Sequence, residues 1–401
     1  MLIHENFLQF CKLNLKQQGK IWTAHIKFIT TKEGDQLVVR PTTKQKSTYV
    51  KLLVSFLFVS ILWLQIFQQM GNEELLTTLQ SMLYATPTLS NVVLRMVYLK
   101  QNYFVANLFN MFLNYERNLK DENKYWPLNR SQKYLIQFVQ LNVILGPLTI
   151  AIGYSLQRWL SPCNSALFGF NFIPECMESS RGLESSWTFV SLAQLTLQII
   201  ISAWLITDVV GEGVFLIMHM SYVQSCCFKQ YTVCFRNNLK TKFDLQKLLR
   251  YRQLQILVRG YNWIQQGLVI FMPITVGPYI FVKGVYGLIY LGSSTEAISF
   301  PDILVFGTSF FGGFVIILLI TGAYAGVHSE STATLKFIRQ RVLFKLIGSP
   351  NAYQIKIIIK YVKSFSPLQV NVGATNYVEK FTPIVLLDFS VAQIVNLLLL
   401  G

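Results

Sequence analysis

Asp208, Glu212 and His219 follow one another at i, i+4 and i+11, a spacing that sets two carboxylates and an imidazole roughly on one side of a helix. At the inner boundary of a membrane such a trio could hold or relay a proton, as an intramembrane hydrolase or acyltransferase requires. It reads better as a hydrogen-bonded seam between packed helices, because nothing else in the chain completes a reaction centre. His4, His25, His219 and His328 are scattered. There is no HExxH, no paired Cys-x-x-Cys and no Gly-rich phosphate loop. The expectation is a protein that is not an enzyme and uses no metal or cofactor.

Two more charges fall inside apolar stretches. Lys283 is close enough to the outer face to snorkel. Asp388 lies about two turns into the last stretch, where a charge marks a functional site by default. Gln393 and Asn396 add polar groups along the same helix, with Asp388 and Gln393 offset by about 140°. A final helix dotted in this way fits a water-filled path, and it equally fits hydrogen bonding between helices. Cys163 and Cys176 share a loop in which a disulfide is feasible, as are two free thiols. Cys226, Cys227 and Cys234 read as buried small hydrophobes, with palmitoylation as the alternative.

The elements that position these residues are set by composition. Of 401 residues, 52% are hydrophobic and 13% charged, which identifies a membrane protein. Its net charge of +16 sits in short loops beside apolar stretches, so it is spent on orientation and on anionic lipid rather than on nucleic acid. Segments of about 20 apolar residues are needed to cross the bilayer. Seven such segments can be drawn, at about 50–70, 75–99, 134–157, 187–207, 267–291, 303–327 and 381–400. Residues 1–49 form a basic N-terminal segment without the pattern of a signal peptide.

The connections alternate between Lys/Arg-rich and Lys/Arg-poor. Lys100, Arg117, Lys120, Lys124, Arg130 and Lys133 follow the second segment, whereas the loop after the third holds only Arg158 and Arg181. Basic loops stay cytoplasmic, so the N-terminus is expected inside and the C-terminus outside. The sequon Asn129-Arg130-Ser131 then falls inside and should carry no glycan. The second segment is half polar, so it should pack within the bundle or line a cavity, with Arg95 snorkelling from its inner end. The third is broken by Gly146-Pro147, and the sixth carries the small residues Gly307, Gly312 and Gly313.

From Trp187 the apolar character runs to Phe228, too long for one crossing. The charge rule favours one span that continues into the cytoplasm as an apolar-faced helix. Helical anchors are therefore expected at about 209–260 and 335–365. Their apolar faces are expected to carry subunit assembly, with Ile358 and Ile359 as contacts.

The C-terminal third is the recognisable part. The run Tyr324-Ala-Gly-Val-His328-Ser-Glu330-Ser-Thr-Ala-Thr-Leu335, then Ser364-Phe-Ser-Pro367-Leu-Gln-Val-Asn-Val-Gly373 and a terminal apolar helix, resembles the arthropod gustatory and odorant receptor superfamily. The closing run from Gln393 to Gly401 lacks the Thr-Tyr and Gln-Phe signature of gustatory receptors. The resemblance implies an all-α, seven-span plasma-membrane protein that acts as a ligand-gated, cation-permeable channel. It further implies a homotetramer or heterotetramer, with or without a co-receptor, that responds to a small tastant or odorant. By position, the resemblance puts Tyr84, Tyr154, Trp187, Gln194, Phe306 and Phe310 near the ligand. It puts the pore and gate on the last helix, at Asp388, Gln393, Val395, Asn396, Leu398 and Leu399. The competing readings are a G-protein-coupled receptor, which needs the opposite orientation, and a transporter, which would show repeated halves.

Overall fold

The computed structural model describes residues 16, 26–30, 37–41, 45–69, 75–121, 130–160, 162–163, 176, 189–215, 224–241, 245–265, 271–293, 300–346, 352–372 and 376–400. A short antiparallel hairpin, β1 (Ile26–Thr30) and β2 (Leu37–Pro41), precedes the helices. The helices are α1 (Gln45–Gln69), α2 (Leu75–Asp121), α3 (Arg130–Leu160), α4 (Phe189–Phe215), α5 (Gln224–Thr241) and α6 (Leu245–Gln265). They continue with α7 (Phe271–Ser293), α8 (Phe300–Val315), a π-turn (Ile316–Ile320), α9 (Thr321–Leu346), α10 (Ala352–Lys363) and α11 (Thr382–Leu400). Between the last two, β3 (Asn371–Val372) pairs with β4 (Asn376–Tyr377).

Five helical stretches among the described residues are long and apolar enough to cross a membrane: Lys46–Gln68, Phe189–Asp208, Ile274–Ser293, Asp302–Phe344 and Thr382–Leu399. The half-polar start of α2 is instead an inner member of the bundle, with Ser81, Thr88 and Asn91 buried. In the same bundle Thr88 and Thr321 turn their hydroxyls back to the carbonyls of Tyr84 and Ile317. This back-bonding satisfies a polar side chain without water.

Three sequence expectations are corrected. The basic loop after the second segment is helix as far as Asp121, because no glycine or proline interrupts 88–126. Val105, Leu108, Phe109 and Phe112 there form an apolar stripe that needs cover. Gly146-Pro147 does not break α3, which runs across it. A Cβ added at Gly211 of α4 would lie 3.6 Å from the Pro147 ring, so the neighbouring helix closes on the site. Of Gly307, Gly312 and Gly313 only Gly313 is in close contact: an added Cβ there would lie 2.5 Å from the backbone N of Phe281. Gly284 and Gly287 of α7 are pressed in the same way against Phe310 and the Phe306 ring, which locks α7 and α8 together.

The largest core is at the predicted cytoplasmic end. It joins the second half of α2 to α5, α6, α9, α10 and the strap 364–370, through Phe112, Phe228, Tyr231, Tyr251, Tyr261 and Tyr324 among others. Part of the apolar surface of the inner helices is thus buried within one chain, while Leu249, Ile256, Trp263, Leu343 and Phe344 stay exposed. Ile358 and Ile359 pack against this core and stay half-buried. Tyr353 and Ile357 are the large apolar side chains left exposed among the described residues of α10. Cys227 and Cys234 are buried in the same core and Cys226 is half-buried.

Glu116 is sealed in that core, where Tyr231 donates a hydrogen bond of 2.6 Å to its carboxylate. Burial pushes its pKa up to about 7, against a smaller opposing effect of the Tyr231 bond. Between the ordinary carboxylate range and pH 7 the folded state keeps a proton that the unfolded state has lost. Stability should therefore be full at acidic pH and fall as pH rises through about 7. Melting of detergent-purified protein across this range measures the slope, and Glu116→Gln should flatten it. A slope unchanged by that substitution rules out this origin.

Candidate functional site

The strap that carries the sequence motif is the first positioning device. Ser331 Oγ of α9 accepts the Leu368 N–H at 2.6 Å and lies 2.8 Å from the Tyr251 hydroxyl. Gln255 donates to the Ser366 carbonyl at 2.8 Å, and Asn262 donates to that of Gln369 at 2.8 Å while accepting from Asn371 N at 3.1 Å. Side chains of α6 and α9 thus take up the backbone groups of a segment with almost no secondary structure of its own. The segment fixes where α11 starts.

From there α11 packs on α7. Ile394, Leu386, Leu387 and Leu397 meet Phe281, Val282 and Ile317, and Ser390 is buried on the same side. At 100° per residue the opposite side carries Asp388, Ala392, Val395 and Leu399, all within about 40° of Asp388. All four are exposed, and Leu399 is 80% so. Leu398 and Asn396 flank this stripe and are exposed as well. Gln393 stands apart, half-buried toward the packed side, so it does not share the face of Asp388. The helix therefore has a dry back fixed by α7 and the π-turn, and an uncovered front with one carboxylate near its start and apolar groups near its end.

A second group lies between α2, α3 and α8. The rings of Tyr84 and Tyr154 meet edge to face at 5.3 Å. Tyr84 donates to Gln157 Oε1 at 2.5 Å, and Gln157 reaches Asp302 at 3.4 Å. Tyr84 also touches the cluster of Leu83, Leu291, Val305 and the fully buried Phe306. It is therefore the hinge between two small cores. Thr86 and Tyr279 stand 3.3 Å apart, and the Lys283 ammonium lies 5.9 Å from the Tyr279 ring, which brings α7 to the same region.

Of the residues expected near a ligand, the structure brings together Tyr84, Tyr154 and Phe306. Phe310 turns instead to Phe281, at 5.5 Å between centroids, and Gln194 is exposed on the outside of α4. Trp187 and His219 lie outside the described residues. Gln157 and Asp302 were not anticipated; a polar pair at matching ends of the third and sixth segments was the available signal.

Asp208 is engaged in ion pairs, and the Glu212 side chain and His219 lie outside the described residues. Asp208 holds Lys51 at 2.9 Å and Arg95 at 2.8 Å, with all three side chains buried. Arg95 also bonds Ser55 at 2.5 Å, so α1, α2 and α4 are tied at one level. This corrects the expectation that Arg95 snorkels: α2 continues past it, so it is not near a helix end. Lys51 went unnoticed because it opens an apolar segment just after Lys44 and Lys46. Cys163 and Cys176 are disulfide-bonded, with Cα atoms 5.0 Å apart, and Cys176 packs on Leu195 of α4.

No family model and no curated protein matches the sequence. Solved structures do match. The insect olfactory receptor OR5 from Machilis hrabei is similar over 99% of this chain and 100% of its own, with a TM-score of 0.63 at 12% identity. The same receptor in complex with eugenol matches with a TM-score of 0.63 at 13% identity, over 99% of this chain and 100% of its own. From one end to the other, this chain has the all-helical, multi-pass membrane fold of an insect olfactory receptor.

Proposed function

We propose that the protein is a chemosensory receptor subunit that opens a cation-permeable pore when a small tastant or odorant binds within its helix bundle. The observation that carries this reading is α11: a helix pinned on one side whose other side presents Asp388 below Val395 and Leu399. Several copies arranged around an axis, four in the tetramer we favour, would enclose that face as a conduit. Its carboxylates attract cations, and its apolar end closes the path by excluding water. The fold shared with an olfactory receptor solved with eugenol supports a small-molecule ligand. Tyr84, Tyr154 and Phe306 are the proposed contacts, with Gln157 and Asp302 as the polar side of the pocket.

The proposed orientation is seven spans with the N-terminus inside, in the plasma membrane. The Cys163–Cys176 bond supports it, because the bonded loop then faces the oxidising side. Tags at the two termini should be labelled on intact cells only at the C-terminus. Labelling at the N-terminus would overturn the arrangement.

The functional test is a small-molecule panel applied to cells expressing the chain, alone and with a co-receptor, while membrane current is recorded. For an activating compound, Tyr84→Phe removes the hydroxyl that holds Gln157. It should weaken the response about tenfold in concentration, the size expected for losing roughly 1.4 kcal/mol of hydrogen bonding. A pocket in this place is ruled out if Tyr84→Phe and Phe306→Leu both leave the concentration dependence unchanged at normal surface level.

A further inference from the structure

We propose that the groove between α3 and α4 is a lipid seat, holding one acyl chain of an outer-leaflet phospholipid against the side of the bundle. The groove measures 520 Å³ and opens outward. Its rim is made by the exposed side chains of Leu148, Ile152, Trp159 and Trp204. Its floor is made by the smaller Ala151, Ser155 and Ala203, which are buried or half-buried.

Three features select hydrocarbon as the occupant. The first is polarity. Ser155 donates to the Ala151 carbonyl and Thr207 to that of Ala203, each at 2.7 Å, so both hydroxyls are spent on their own helices. What faces outward is methyl, methylene and indole. The second is length. Along α3 the groove runs from Leu148 to Trp159, about 16 Å at the helical rise, which is half of a hydrocarbon core of about 30 Å. The third is position. With the basic end of α3 inside and its disulfide-linked end outside, the groove lies along the outer leaflet. Trp159 then sits toward the headgroups, where indoles prefer to be.

Exchanging one lipid chain for another brings no hydrophobic gain within a bilayer, so retention rests on dispersion contacts in a groove that would otherwise be loosely filled. The floor residue Ala151 packs on its inner side in the core of Tyr154, Ala85 and Leu205. The seated chain thus backs onto the region proposed for the ligand. The inference rests on the membrane-spanning fold and on the proposed orientation, and holds whether or not the chain conducts ions.

The test uses bromine quenching of tryptophan. Full-length protein is placed in nanodiscs of phosphatidylcholine with a dibrominated acyl chain, re-extracted in maltoside detergent and washed by gel filtration. The Trp204 signal is isolated as the difference from Trp204→Phe. Wild-type protein should keep most of its quenching after the wash. Ala203→Phe fills the floor and should bring quenching to the detergent baseline. Ile152→Gln places a polar group on an already exposed rim position, leaves the packing intact and should also weaken retention. If wild-type quenching is lost as completely as in both variants, the groove meets only passing annular lipid and the seat is refuted. Retention by Ala203→Phe at the wild-type level refutes it too. Displacement of the brominated chain by an activating compound would make the groove a ligand port instead, which also overturns the proposal.

Discussion

Asp208→Ala should destabilise the bundle by about 3–5 kcal/mol, the cost of stripping one partner from a buried ion pair. Asp208 is shared by two buried cations, held 2.9 Å from Lys51 and 2.8 Å from Arg95. Arg95 also donates to the Asp208 carbonyl at 2.7 Å, and Ser55 links Arg95 to the Lys51 carbonyl. Removing the carboxylate takes from two buried cations the anion they share, where little water can replace it. Lys51→Met should do far less, because it leaves the Arg95–Asp208 pair matched in charge. Melting of detergent-solubilised protein, followed by its gel-filtration peak, measures both. Most of the Asp208→Ala protein should also be missing from the cell surface, since a loss of this size lowers the folded-to-unfolded ratio by about two to four orders of magnitude. Equal damage from the two substitutions would refute the charge-balance account.

That cluster shows where a sequence is legible and where it is not. Asp208 was readable as a helix-contact group, because a carboxylate in an apolar run has to be paired. Its partners were not readable. They come from helices far off in the chain, and Arg95 was placed at a helix end by assuming that a span of about 20 residues stops where the bilayer does. The continuation of α2 to Asp121 was present in the sequence, in the lack of breakers and in the spacing of Val105, Leu108, Phe109 and Phe112. The Lys/Arg alternation hid it, since charge marks the side of the membrane and not the end of a helix. The inner helices were visible from periodicity, but not how much of their apolar surface the same chain covers. Around the candidate pocket, Tyr84, Tyr154 and Phe306 converge, while Gln194 and Phe310 turn elsewhere. When a helix is apolar on all sides, its composition does not fix its rotation, and close contacts such as Gly284 on Phe310 decide it.

On the proposed channel reading, replacing Val395 or Leu399 with serine or glutamine should raise ligand-independent current several-fold, the largest functional change expected from any single substitution here. An apolar ring stops ions because water leaves it, so a cation crossing it goes unhydrated. Val395 and Leu399 lie one turn apart on the face of α11 that also carries Asp388. Leu398, roughly 80° from that face, should give a smaller effect. Leu397 packs toward Phe281 and Ile317, so a polar group there should reduce the amount of folded protein and leave the resting current per channel unchanged. Asp388→Asn tests the other end of the face: it should lower cation selectivity while leaving the closed state closed, because it alters the charge of the conduit and not its dry constriction. Patch recordings normalised to surface protein separate these outcomes. If polar substitutions at 395, 398 and 399 leave resting and evoked currents unchanged in protein that reaches the surface, the gate is not on α11.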